Sequence, residues 1–459
     1  MLVKRRVVFY VVIGLVMFVA AACAGGDDAK DESLIADKNE GASIGGSSDS
    51  REASSPVLEK SDVQAELVIY GVSNAEEEFN DRWGNDLREQ FPNITFTYIQ
   101  NEQGKSLSEL IMANQPIDIL FDSIGSAPST LIENGFEYDI TDLARAHGVD
   151  LARFEPTFLD SIRQMGGLYG LPVNGGGLVI YYNKDIFDHF GVEYPTDGMT
   201  WDELLDLSKR VTRQEDGKQY AGFAASVAHP MRMNPYSLDV VDMETNTAAI
   251  DNDLWRKMME YMVVLPITQD EGYRELYASR NGGLWTGDFV GEQNLAMFMM
   301  NFGLQYAVPE FETMNWDMVS IPIFDDLPGV GSQPYPNFFF ITSSSKHKDA
   351  AMEVLKYVTS DEHVMKESRK GNIPVLVNED IKEMFGQDTV YKDKNMKNAV
   401  FYNAFAVPHR KTIYDNLVAG PLDAQLKRVI LGEIDLNTAF RNAVEEANQA
   451  IAERVAAQK

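Results

Sequence analysis

Between residues 66 and 121 the chain alternates two hydrophobic periods, and this alternation restricts its fold more than any other feature. Glu66–Tyr70 (ELVIY) reads as a strand, and 76–90 places Phe79, Trp83 and Leu87 at i, i+4 and i+8 on one helical face. Asn93–Ile99 (NITFTYI) is a second strand, 107–113 a second helix, and Ile117–Phe121 (IDILF) a short run suited to a buried strand. Strands alternating with helices build parallel α/β sheets. In such sheets ligands bind beyond the carboxyl ends of the strands, here Tyr70–Asn74 and Asp122–Ser126. Ser73 and Asn74 are therefore candidate ligand contacts.

The first residues carry an address. Lys4, Arg5 and Arg6 precede the apolar run Val7–Ala22, and the small residues Ala20, Ala21 and Ala22 stand before Cys23, the only cysteine. A basic stretch, an apolar stretch and small residues at a cleavage point predict a signal peptide over 1–22. Gly25, Gly26, Asp27 and Asp28 end the apolar run before the roughly 20 residues needed to span a bilayer. Cys23 at the cut resembles the lipobox of bacterial lipoproteins, although Ala20 stands where that pattern usually has Leu. The resemblance implies acylation of Cys23 and a membrane contact made through lipid alone. With its one thiol consumed, the folded part can form no disulfide.

Residues 23–62 are rich in Gly, Ser, Asp, Glu and Lys and predict a disordered tether. As a Gly/Ser-type coil it would reach about 35 Å. The whole chain has 70 acidic against 40 basic residues, a formal net charge of −30. That charge repels nucleic acid and anionic lipid, which excludes both as partners. The remaining length suits two domains, and 44% hydrophobic residues supply sizeable cores.

From residue 167 the order of motifs resembles a known family. Gly167–Pro172 (GLYGLP), Leu178–Phe187 (LVIYYNKDIF) and Thr200–Leu204 (TWDEL) follow one another as in the extracellular solute-binding proteins of ABC importers, the cluster containing maltose-binding protein. Asn294–Met297, Trp316–Pro322, Asn337–Ser345 followed by Lys348–Tyr357, Gly371–Pro374 (GNIP), Leu426–Gly432 and Asp435–Ala456 continue the likeness, which spans about 65–456. Locally, Thr200 and Glu203 have capping-box spacing. The resemblance implies two α/β lobes of the periplasmic-binding-protein type joined at a hinge, with 63–174 plus 332–376 in one and 175–331 plus 377–459 in the other. Asn174–Gly177 falls at the first crossing, and Gly175, Gly176 and Gly177 are candidate hinge residues because glycine tolerates large backbone changes.

A sugar pocket needs aromatic faces for C–H surfaces and amides or carboxylates for hydroxyls. The resemblance places Asp122 where relatives present a ligand contact, and Phe302 where they often hold a stacking Trp. Asn174, Trp285 and Tyr335 complete the candidate set. The implied protein is a monomeric receptor that hands a sugar or oligosaccharide to a membrane permease, with no cofactor. The competing readings are an extracellular polysaccharide hydrolase and a sensor subunit.

Other chemistry leaves little trace. The six histidines, at 147, 189, 229, 347, 363 and 409, lack paired ligand spacing, so no metal site is expected, and most read as surface or capping residues. No G-x-S-x-G elbow occurs, and 239–253 lacks an EF-hand loop, its Asp251–Asp253 reading as a helix start. Met297, Met299 and Met300 read as core packing.

Overall fold

Phe79, Trp83 and Leu87, the apolar face expected of 76–90, are all fully buried, and they set the first helix against a sheet. This computed structural model describes residues 62–280 and 283–457. The signal peptide, Cys23 and nearly all of the tether lie outside them.

Among the described residues twelve strands run in chain order: β1 Ala65–Gly71, β2 Ile94–Gln100, β3 Ile119–Ser123, β4 Gly170–Asn174, β5 Leu178–Asn183, β6 Arg213–Glu215, β7 Lys218–Ala225, the two-residue β8 Val241–Asp242 and β9 Thr247–Ala248, β10 Leu295–Asn301, β11 Trp316–Ser320 and β12 Asn337–Ile341. They form two five-stranded sheets, β2-β1-β3-β12-β4 and β11-β5-β10-β7-β6, and the β8-β9 ribbon. Each large sheet is the core of one lobe. The purely parallel sheet expected from the alternation is corrected to a mixed one. β1 pairs parallel with β2 and β3, but β12 is antiparallel to both β3 and β4. The reason is topological: β12 enters from the other lobe at the edge where β1 and β3 end, so it must run the opposite way. The second sheet mirrors this, with β5 entering at Leu178 opposite Asn301, the last residue of β10.

Helix α1, 76–90, runs from Glu76–Phe79 through a wide turn at Asn80–Gly84 into Asn85–Gln90. Trp83 meets Phe121 of β3 edge-on at 5.0 Å between ring centres and Phe339 of β12 at 5.3 Å. Helix α2, Trp201–Val211, begins with the capping box expected from its sequence. Thr200 Oγ1 accepts from the Glu203 N–H at 3.2 Å, and the Glu203 carboxylate accepts from the Thr200 N–H at 2.8 Å. Helix α3, Lys348–Val358, covers the first lobe with Ala351, Val354 and Leu355 inward.

Two long helices, α4 Asp415–Ile430 and α5 Leu436–Ala457, end the described chain. The terminal helix that the family likeness places at Leu426–Gly432 begins earlier, at Asp415. Gly420 and Pro421 look like breakers, yet Val418, Leu422 and Leu426 are fully buried on one face, and that packing outweighs the proline's missing donor. The surface reading holds for His189 and His347, which are exposed, and is corrected for two others. His363 and His409 are buried, and His147 sits between Asp349 and Glu353 at 2.9 and 2.7 Å. No group of three or more metal-ligating side chains occurs among the described residues, and no described helix is long and apolar enough to cross a membrane.

Candidate functional site

Asn174–Gly177 joins β4 to β5 and threads between three other segments. The Gly175 N–H donates to the Ile373 carbonyl at 2.8 Å, the Gly176 carbonyl accepts from Tyr335 N at 2.9 Å, and the Gly177 carbonyl accepts from Phe302 N at 2.9 Å. None of the three glycines has positive φ. Close approach explains them: a Cβ on Gly176 would stand 2.5 Å from the Tyr335 carbonyl oxygen, and one on Gly175 2.6 Å from Ile373. This crossing therefore ties the loop after β10, the β11–β12 connection and the 371–374 loop to one short stretch of backbone.

Beside it opens a cleft of about 740 Å³ between the edges of the two sheets. The volume lies in the upper part of the range of about 300–1,000 Å³ usual for small-molecule sites. The first lobe supplies Asn74 after β1, Glu78 and Arg82 on α1, Asn174, Asn337 at the start of β12, and Lys370–Ile373. The second lobe supplies Met300–Leu304 with Tyr306 and Ala307. The cleft is rich in amides, with one exposed aromatic corner. There Phe302 and Tyr306 stand 6.4 Å apart at 75°, and Phe385 packs on Phe302 at 5.5 Å.

The structure thus brings Asn74, Asn174 and Phe302 together, and places the other candidates elsewhere. Ser73 is exposed beside Asn74 and does not line the cleft. Asp122 is buried at the end of β3, where its oxygens accept from Ser123 N at 2.7 Å and from the Ser126 and Thr130 hydroxyls at 2.5 Å. Burial holds its carboxyl above the ordinary range, against the pull of those donors. This carboxylate ties the turn after β3. Trp285 is 46% exposed on the second lobe, edge-on to Phe298. Tyr335, on the β11–β12 connection, lays its ring against Gly125 of the first lobe, and burial raises its hydroxyl pKa.

Of the Met run, Met297 and Met299 are in the core, whereas Met300 reaches the cleft. Residue patterns had not singled out Glu78, Arg82, Asn337, Lys370, Asn372 or Tyr306. For Tyr306 a signal existed: it lies four residues after Phe302 in the same post-strand segment. Its hydroxyl rests against Gly371, whose φ of +88° and missing Cβ make the seat. Lys370 is held above the ordinary lysine range; burial lowers it, but the carboxylates of Glu367 and Asp81 outweigh that.

A two-sheet molecule with its cleft at the chain crossings defines the class of a hinged binding protein. The family model described as bacterial extracellular solute-binding protein matches residues 72–365, and the chain belongs to that family. A mannitol-binding protein of Pseudomonas aeruginosa is 24% identical over 227 residues, 45% of this chain and 48% of that protein, so the match spans about half the length of this curated relative. An ABC substrate-binding protein of Listeria monocytogenes in complex with cycloalternan superposes with a TM-score of 0.68 at 16% identity, covering 85% of this chain and 100% of that one. The sugar-binding protein MalE of Xanthomonas citri does so with a TM-score of 0.64 at 16% identity, covering 85% and 98%. A solute-binding protein of Agrobacterium vitis with bound D-mannitol gives 0.58 at 15% identity, covering 85% and 99%. These structural likenesses show the two-lobe fold.

Proposed function

We propose that this chain is the extracellular solute receptor of an ABC importer, and that it captures a sugar or sugar alcohol in the cleft and delivers it to a membrane permease. The observation that carries the reading is the cleft itself, set where the chain crosses between two sheets and lined by Asn74, Asn174, Asn301, Asn337 and Asn372 around Phe302. Amides offer hydroxyls both donor and acceptor, and an aromatic face takes the C–H surface of a sugar. Lobe boundaries near 174–175, 331–332 and 376–377 let the halves close as bodies about the crossings. Binding energy stabilises the closed form, which the permease recognises. No bond is made or broken.

The hydrolase alternative finds less support. The cleft-lining carboxylates, Glu78 and Asp81, lie on the same wall, whereas glycoside hydrolysis sets two carboxyl groups on either side of the scissile bond. A melting-temperature screen against hexoses, hexitols and oligosaccharides tests the reading. A true ligand at 100 times its Kd is expected to add about 2.7 kcal/mol of stability and to be recovered unchanged. No stabilisation by any of them, or recovery of cleaved products, would contradict it.

Attachment through acylated Cys23 belongs to the same proposal, and one acyl chain alone would hold only marginally. Cys23→Ala is expected to move the protein from the membrane to the soluble fraction. A variant that still fractionates with membranes would remove the lipoprotein reading.

A further inference from the structure

The second-lobe wall of the cleft is a loop, and the loop is held from behind by polar groups that do not line the cleft. Residues 301–306 begin at the end of β10 and bring Asn301, Phe302 and Tyr306 to the cleft. Between the two aromatic residues in the chain lies Gln305, which is only 2% exposed. Its Oε1 accepts from the Gly303 N–H at 3.1 Å, closing a turn that Gly303 makes with a φ of +105°. The same oxygen accepts from the Tyr181 hydroxyl at 2.6 Å. Both neighbours donate, which sets the way the amide faces and leaves Nε2 toward Met396 Sδ at 4.0 Å.

Tyr181 reaches this loop from β5. It is fully buried, with its ring centre 5.4 Å from that of Phe311 and 5.8 Å from that of Trp316. Burial raises the pKa of its hydroxyl, which therefore stays protonated and can donate. Its one proton goes to Gln305, because the Asn301 carbonyl stands farther off at 3.1 Å. Tyr391 adds another tie by donating to the Gln305 carbonyl at 3.1 Å. Phe302 is thereby fixed on both sides: its own N–H is on the Gly177 carbonyl, and the next N–H, of Gly303, is on Gln305. An apolar side chain of similar length would fill this buried space; what the amide adds is direction.

We propose that Gln305 and Tyr181 are positioning residues of the cleft: the Tyr181 hydroxyl orients the Gln305 amide, and the amide holds the loop after β10 in the shape that presents the Phe302 ring before a solute arrives. Neither side chain touches the solute. The effect on affinity is one of preorganisation, since a loop already ordered has less freedom to lose on binding. This inference rests on the solute-binding reading and extends it to residues behind the cleft wall.

Two variants test it. Tyr181→Phe keeps the ring and its packing and removes only the hydroxyl, while Gln305→Met keeps the length of the side chain and removes the amide. Calorimetric titration with the panel of hexoses, hexitols and oligosaccharides compares wild type, both variants, and each variant combined with Phe302→Ala. Either variant alone is expected to bind the best solute about five- to tenfold more weakly, the range that loss of one buried hydrogen bond gives. With Phe302→Ala already present, Tyr181→Phe is expected to change affinity by less than about twofold, because the ring it positions is gone. An equal loss in both backgrounds would mark a merely structural role and overturn the inference. Wild-type affinity in either single variant would overturn it too, while leaving the receptor reading intact. Binding of none of the panel by wild type would overturn both.

Discussion

Trp83→Ala is expected to lower the unfolding free energy by about 3–5 kcal/mol, the cost typical of truncating a buried Trp to Ala. Trp83 is fully buried, and its ring joins α1 to two strands that arrive by different routes: Phe121 on β3 from within the lobe, and Phe339 on β12 returning from the other. Removing it leaves a void bounded by rigid rings, which relax poorly. The same ring supports the Arg82 guanidinium, so a second effect at the cleft wall should accompany the first. Urea unfolding followed by circular dichroism measures the loss. Trp83→Phe, which keeps an aromatic edge, should lose markedly less. Near-equal stability of Trp83→Ala and wild type would show that this ring cluster is not the centre of the first lobe.

The second large effect is on affinity. Phe302→Ala is expected to weaken solute binding about ten- to hundredfold, because an aromatic face of this size contributes roughly 1.5–3 kcal/mol when its apolar area leaves water. Phe302 is half-buried between Phe385 and Tyr306, so its ring is fixed before any solute arrives. A ring held ready spends little entropy on binding. Phe302→Tyr keeps the face and should retain most of the affinity. Calorimetric titration of the best-stabilising solute against all three proteins decides the matter, and unchanged affinity in Phe302→Ala would remove this residue from the site.

Local features of the fold were open to reading from residues. The helix 76–90, the strand at 66–70 and the Thr200–Glu203 capping box each depend on residues a few positions apart, and all stand where periodicity and spacing put them. What depends on distant neighbours was not readable in the same way. The direction of β12 follows from its route through the other lobe, and the burial of His363 and His409 from neighbours far along the chain, Asp86 beside the first and Asn234 and Gln333 beside the second. Pro421 inside α4 is the same lesson, since a breaker was overruled by the buried face of Val418, Leu422 and Leu426.

The site divides along the same line. Asn74, Asn174 and Phe302 lie at strand ends or crossings, positions that topology predicts to border a cleft, and they line it. Asp122 also ends a strand, but Ser123, Ser126 and Thr130, all within eight residues, engage its carboxylate. That competition was present in the sequence. Glu78 and Arg82 had no such signal, because 70 acidic residues make an i,i+4 pair with a basic one commonplace. The glycines of 174–177 were visible, but their physical reason was not: it is the approach of the Tyr335 backbone and the Ile373 side chain.

The central claim is that two lobes close on a solute held between them. Small-angle X-ray scattering of the chain from residue 24 onward, with and without the solute giving the largest thermal shift, tests it most directly. The account predicts a smaller radius of gyration at saturation and return to the starting value once the solute is dialysed away. A radius unchanged by a solute that demonstrably binds would contradict it.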